Sequence, residues 1–376
     1  MKPSLPNKPS KESPSTSPQK VETSSTNTPH VSSLSPTSKK NKSKFKWIVA
    51  AILTAILVIV LSLFFWFIVA VNSPKDSKQT NKSLFVVKAN MGLDQISNDL
   101  YAKGLIADKN IFILYSKFGP SRGNLKPGTY LLSPSMSLSR IADTIGRGAV
   151  ASEKITFPEG TTIEQMSKKW AKTNLGTANG FVEASKLQNT YKQSFLQYRS
   201  NKQSLEGYLF PATYTVVYAS TAQSQIDTML DNFEQQVLPK LPAEYQNSTK
   251  LNDLITLASI VEREANTTED RRGVAAVFYN RLKLGMKLES DVTVNYATGK
   301  TQTLPSDLSI ESPYNTYKVA GLPIGPICNP GLDSILATLN PDQNDYLFFL
   351  ADKNGVVRYA KNLDEHNQNI EKYLNQ

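Results

Sequence analysis

Apolar positions fall into three regimes along the chain. From Met1 to Lys46 large apolar residues are sparse, and Ser, Pro, Thr and Lys dominate. From Trp47 to Val71 ("WIVAAILTAILVIVLSLFFWFIVAV") 25 residues pass without a charge. Beyond Val71, apolar residues return at helical and strand periods. The first regime cannot bury enough surface to offset its chain entropy and predicts a disordered tail over 1–46. The second exceeds the roughly 20 apolar residues that span a bilayer and predicts a transmembrane helix over 47–71. A cleaved leader would have a shorter apolar run followed by a small-residue cleavage site, so an uncleaved anchor is expected.

The third regime opens with a polar linker over 72–83. A strand-like "LFVVKA" then leads into a helix whose Leu93, Ile96, Leu100 and Leu105 keep near-helical spacing up to Gly104. "DKNIFILYSKFG" predicts a second helix, "LKPGTYLLS" a strand, and "SLSRIADTIGRG" a third helix. The strand–turn–helix unit recurs in "EKITFPEGTTIEQMSKKWAKT". These βα units predict a small module over 84–150, a glycan-binding module or a generic α+β adaptor, followed by a mixed α+β domain over 151–376. That domain is expected to be helical from 177 to 246 around "LEGYLFPATY". A buried helix, "LITLASIVEREA" (254–265), and a second one, Glu269 to Leu284, come next. Strand-like pieces with Gly, Pro and Asn turns follow, then "DYLFFLAD", "GVVRYA" and a last helix from about Asp364.

Charge adds orientation. Residues 1–46 hold nine Lys against two Glu, so most of the formal +10 belongs to the tail. This concentration is no argument for nucleic acid as a partner. Five lysines from Lys39 to Lys46 abut the apolar run, while only Lys75 and Lys78 lie close to its other end. The positive-inside rule then places the tail in the cytoplasm and residues 72–376 outside.

Candidate chemistry narrows by exclusion. Past residue 71 there is one histidine, His366, and one cysteine, Cys328. His- or Cys-rich metal sites are excluded by count, no phosphate-cradling glycine loop appears, and no intrachain disulfide is possible. Neither metal nor cofactor is expected, which leaves carboxylate chemistry. Glu262 ends a nearly all-apolar helix and shares a face with Ile255, Ala258, Ser259 and Ala265, whereas Glu264 points well round it. A carboxylic acid above such a surface keeps its proton and suits general-acid work. The structural alternative is a helix-end carboxylate paired with Arg263 or Arg271.

"LASIVEREA" resembles the LASIVE(K/R)E signature of the YceG-like family of endolytic murein transglycosylases. "EGYLFPATY", "VFYNRLKLGMKLESDVTV", "YNTYKVAGLPIGPICNPGLDSI" and "EHNQNIEKY" are similar to further blocks of that family, in order and spacing. Departures stand at Ala212, Ile324, Val357 and Ala360, where the family usually has Asp, Pro, His and a Ser or Asn.

The resemblance implies a single-pass anchor, a LysM-like module over 84–150 and an α+β catalytic domain that takes peptidoglycan glycan strands. It implies that Glu262, the first glutamate of the signature, is catalytic and cuts between N-acetylmuramic acid and N-acetylglucosamine to leave 1,6-anhydro ends. Asp291, Asn280, Arg281, Asn315, Tyr317 and Glu206 are the candidate substrate contacts, with Asp291 raising the pKa of Glu262 or holding charge. The implied location is a bacterial cell membrane, with peptidoglycan synthases and elongation or division proteins as candidate partners. Two other readings stay open: a muramidase-type hydrolase in which Asp291 activates water, and a non-catalytic glycan-binding scaffold.

Overall fold

The computed structural model describes residues 42–120, 122–173, 175–186, 190–199, 204–246 and 248–375. The expected disordered tail lies almost wholly outside these residues. The chain divides into two compact units, 1–63 and 64–376. Helix α1 (Lys42–Asn72) is the one described helix long and apolar enough to cross a membrane.

Strand β1 (Ser83–Val87) pairs antiparallel with β2 (Gly128–Leu132), Leu84 opposite Leu131. Between them run helices α2 (Leu93–Ala102) and α3 (Lys109–Phe118), and α4 (Leu138–Arg147) follows. Alternation along the strands sends Phe85, Val87, Tyr130 and Leu132 inward to meet Ile96, Leu100, Phe112, Ile141 and Ile145. Asp108 starts α3 by accepting from the Asn110 and Ile111 amides, and Gly148 ends α4 in the left-handed region at φ 72°. Phe67 and Val71 from the last turns of α1 belong to the same core.

The stretch 72–83, expected as a polar linker, makes specific contacts with the module. Pro74 bridges Ser137, the Asp76 amide donates to Pro134 O at 3.0 Å, and the Ser133 hydroxyl donates to Gln79 O at 2.9 Å. It is strapped along the module because its backbone polar groups find partners there.

Beyond residue 150, β3 (Ser152–Phe157) leads into α5 (Ile163–Lys172) and α6 (Ala178–Ala184), and β3 pairs antiparallel with β4 (Ala212–Val217). Helix α7 (Ala222–Gln236) precedes α8 (Thr249–Glu264) and α9 (Thr268–Lys283). The last elements are α10 (Asp291–Thr298), α11 (Leu332–Leu339), the antiparallel hairpin β5 (Phe348–Ala351) and β6 (Val357–Ala360), and α12 (Leu363–Tyr373). Helix α8 serves two cores. Its Leu251, Leu254, Ile255 and Ala258 join Trp170, Tyr208 and Phe233, while Leu257, Ile260 and Val261 join Val274, Phe278 and Leu288. Shared burial explains why its sequence is apolar almost all round.

"DVTVNYAT" lies in the stretch expected to hold strand-like pieces and is rich in β-branched residues, yet it folds as α10. Thr293 and Thr316 share a hydrogen bond of 2.9 Å inside the domain and Gly299 closes the helix at φ 71°, so tertiary contacts override the local preference.

Candidate active site

Two glutamates close α8, and they meet different surroundings. Glu262 Oε1 accepts from Arg271 Nη2 at 3.2 Å, and its Oε2 accepts from the Gly331 amide at 2.9 Å. Only 6% of its side chain and 12% of that of Arg271 are exposed. Arg271 also reaches Asp333, Nη1 to Oδ2, at 2.6 Å. Gly160 packs on the Glu262 side chain with φ 71°. A Cβ on Gly331 would meet the Glu159 carboxyl, which would have to move aside. Burial, and then the nearby charge of Glu262, holds the Glu159 carboxyl above the usual carboxylate range. With both oxygens engaged, Glu262 ties α8 to α9 and to the segment before α11.

Glu264, round the helix, lines a cleft of about 440 Å³ with Ser290, Asp291, Tyr317, Phe348 and His366. Its Oε1 accepts from the Ser290 hydroxyl at 2.6 Å. Burial raises its pKa most and the charge of Asp291 adds to this, while the Ser290 hydrogen bond and Arg263 oppose. Asp291 Oδ1 accepts from the Tyr317 hydroxyl at 2.7 Å. Burial, then that bond and charge, pushes the Tyr317 phenol well above its ordinary value, so it remains a protonated donor. The chain turns into the cleft through Glu289, a non-glycine residue in the left-handed region at φ 53°. A strained backbone beside polar groups facing a cleft is what functional sites tend to carry.

The other expected contacts divide. Arg281 lines the same cleft, but its Nε donates to Leu347 O at 2.6 Å and its Nη1 to Leu288 O at 3.0 Å, so it braces the wall. Asn280 holds the backbone before β5, donating to Asn344 O at 3.1 Å and Tyr346 O at 3.0 Å. Asn315 is fully buried. It donates to Ile310 O at 2.9 Å and accepts from the Tyr317 amide at 3.0 Å, fixing the turn that presents Tyr317.

Glu206 lies in another cleft, of about 610 Å³, with Tyr296, Tyr314 and Arg263. It accepts from the Ile163 amide at 3.1 Å, Asn329 Nδ2 at 2.8 Å and the Tyr296 hydroxyl at 3.3 Å. Burial pushes its carboxyl up to about 8 against these hydrogen bonds.

The structure distributes the expected residues between the two glutamates of α8. Asp291, Tyr317 and Arg281 come together, but about Glu264, and it is the pKa of Glu264 that Asp291 raises. Glu262 instead has the geometry of the structural alternative, a carboxylate paired with Arg271. Glu264, Ser290 and Phe348, which also line this cleft, were not among the expected contacts. The sequence signal was helical phase, which separates the two glutamates without saying which side of a helix shared by two cores opens to solvent.

This fold and cleft define a carboxylate-bearing α+β domain behind an apolar helix. The YceG-like family model matches residues 85–372, and the chain belongs to that family. A Bacillus subtilis (strain 168) relative named endolytic murein transglycosylase is 36% identical over 314 residues, covering 80% of this chain and 86% of its own. A relative of the same name from Streptococcus pneumoniae (serotype 2, strain D39) is 33% identical over 314 residues, 75% of this chain. The chain spans only 57% of that pneumococcal relative's length. A crystal structure of a YceG-like protein from Listeria monocytogenes matches with TM-score 0.52 and 34% identity, over 77% of this chain and 98% of that one.

Proposed function

We propose that this chain is a membrane-anchored endolytic transglycosylase of peptidoglycan, and that Glu264 is its acid and base. The observation that carries the reading is the Glu264 carboxyl in its cleft, held toward its protonated form by burial and by Asp291. A carboxyl held toward its protonated form can protonate the bridging oxygen between N-acetylmuramic acid and N-acetylglucosamine. The resulting carboxylate then takes the proton of the muramyl 6-hydroxyl, whose oxygen closes on the anomeric carbon and leaves a 1,6-anhydro end. Asp291, oriented by the Tyr317 hydroxyl, stabilises the oxocarbenium-like charge between the two steps. One carboxyl serves both proton transfers, where a standard glycosidase uses two.

In this reading the lysines before the apolar run of α1 keep the N-terminus cytoplasmic and the catalytic domain outside. The unit around β1 and β2 is a LysM-like glycan-binding module. Nascent strands are cut near the membrane, beside peptidoglycan synthases and elongation or division proteins. A reporter fused at Gln376 checks the orientation, and activity restricted to a cytoplasmic reporter would reverse it.

The second carboxylate also supports hydrolysis, with Asp291 activating water. Digestion of uncrosslinked glycan strands by the full chain in detergent, with product ends identified by mass, decides the outcome. Anhydromuramyl ends are expected. Reducing ends, one water heavier, would make the protein a hydrolase, and intact strands would make it a glycan-binding scaffold.

A further inference from the structure

Helix α3 carries apolar side chains on two faces. Phe112 and Ser116 point into the module and are fully buried. At about 100° per residue, Leu114 and Phe118 lie on the opposite side, beside Ile111. Leu114 is 46% exposed and Phe118 81%. A short helix that is apolar on both faces is covered on both. Among the described residues Leu114 and Phe118 stand open on this second face, while Ile111 at its edge is partly buried against the module's core.

We infer that the Ile111–Leu114–Phe118 face of α3 rests in the headgroup region of the membrane that α1 enters, so that the module is docked on the bilayer as well as tethered to it. The inference rests on the proposed anchoring by α1. Continuity supports it: Ile111, in the first turn of α3, shares the lining of a small cavity with Ala70 and Pro74, where the apolar helix ends. Phe67 and Val71 of that helix sit in the module's core, and the stretch behind them is strapped down.

Charge agrees. Between residues 84 and 150 there are eight Lys and Arg against four Asp and no Glu, and Lys117 flanks the stripe. An apolar stripe with basic neighbours is the pattern that binds anionic lipid interfaces. Docking would fix the height of the glycan-binding face above the lipid and favour strands still close to the membrane.

The test uses the full chain in vesicles of phosphatidylcholine and phosphatidylglycerol carrying a lipid spin label near the headgroup or deep in the acyl chains. A bimane fluorophore is attached at Phe118→Cys, Val58→Cys or Leu363→Cys, since the one native cysteine, Cys328, is buried. The label at 118 should be quenched about two-fold or more, and more by the shallow spin label than by the deep one. Leu363 is 57% exposed on the last helix, and its label should stay unquenched. A label at 118 that behaves like the one at 363, while 58 is quenched by the deep lipid, overturns docking and leaves the anchor standing. Loss of quenching at 58 as well removes the anchor, and docking with it. Protection of 118 that appears only when glycan strands are added would assign this face to glycan and overturn the membrane reading.

Discussion

Glu262 and Glu264 share a helix end and most of their sequence context, yet one is held by an ion pair and a backbone amide and the other faces a cleft. The oxygens of Glu262 take one guanidinium and one backbone amide, and those partners join three segments of the fold. Glu264 has one hydroxyl donor, a second carboxylate nearby and an open cleft in front of it. An ion pair stabilises the charged form of a carboxylate, whereas burial beside a like charge stabilises the neutral form. A general acid needs the second arrangement. Proximity to a core is therefore a poor guide to catalysis, and the sign of the neighbouring charge is a better one.

The largest effect should come from exchanging roles across this pair. Glu264→Gln keeps the shape and can still accept from Ser290, but it cannot cycle a proton, so strand cleavage should fall by at least about 10²-fold. The pKa of Glu264 is raised in the folded state, so its stabilising contribution is complete below the ordinary value of 4.5 and is lost as pH rises through the folded value. The Gln variant should accordingly match the wild type in acid and gain on it at alkaline pH in denaturant titrations. Normal cleavage by a folded Glu264→Gln protein, together with a dead Glu262→Gln, would return catalysis to the first glutamate.

Glu262→Ala should be felt in stability. It leaves Arg271 and the Gly331 amide without their carboxylate in a nearly closed site, at a cost of about 3 kcal/mol. Activity per folded molecule should stay near that of the wild type. A drop of about 10²-fold at unchanged stability would reverse the assignment.

Much of this arrangement was legible in the sequence. The helix ending in two glutamates, the long apolar helix α1 and the βα units follow from periodicity, capping and turn residues. Asp291 and Tyr317 were each readable as candidate substrate contacts, but not as partners of one another. What was not legible is what long-range contacts decide. The Glu262–Arg271 pair joins neighbouring helices, but its second anchor, Gly331, lies 69 residues away. Ser290 and Glu264 are 26 residues apart. Stretch 72–83 is polar enough for a free linker, and only its partners in 133–137 show it to be strapped.

Asp291→Asn tests the charge on the Glu264 side. Losing a nearby carboxylate should lower the rate by about tenfold, a modest share of an electrostatic contribution. It should also move the alkaline fall of the pH–rate profile to lower pH. Asp291 helps raise the Glu264 pKa, so without it the acid loses its proton sooner. An unchanged profile would mean that Asp291 does not act on Glu264. If the wild-type products carry reducing ends, the loss should be far larger, because Asp291 would then be the base.

The smallest effect belongs to Tyr317→Phe, which separates orientation from proton transfer. The Tyr317 hydroxyl donates to Asp291 at 2.7 Å, and its pKa is pushed up by burial and by that carboxylate. It therefore orients Asp291 and gives up no proton at working pH. Removing one hydrogen bond to a charged group is worth about 1.5 kcal/mol, roughly a tenfold ceiling on the rate, and partial exposure of the pair should bring the loss to a few-fold. Arg271→Lys is the matching change beside Glu262. It keeps the charge, loses the fork that spans Glu262 and Asp333, and should lower the unfolding midpoint while leaving the rate alone. A rate that falls with Arg271→Lys and ignores Tyr317→Phe would place the reacting sugar on the Glu262 side of the helix.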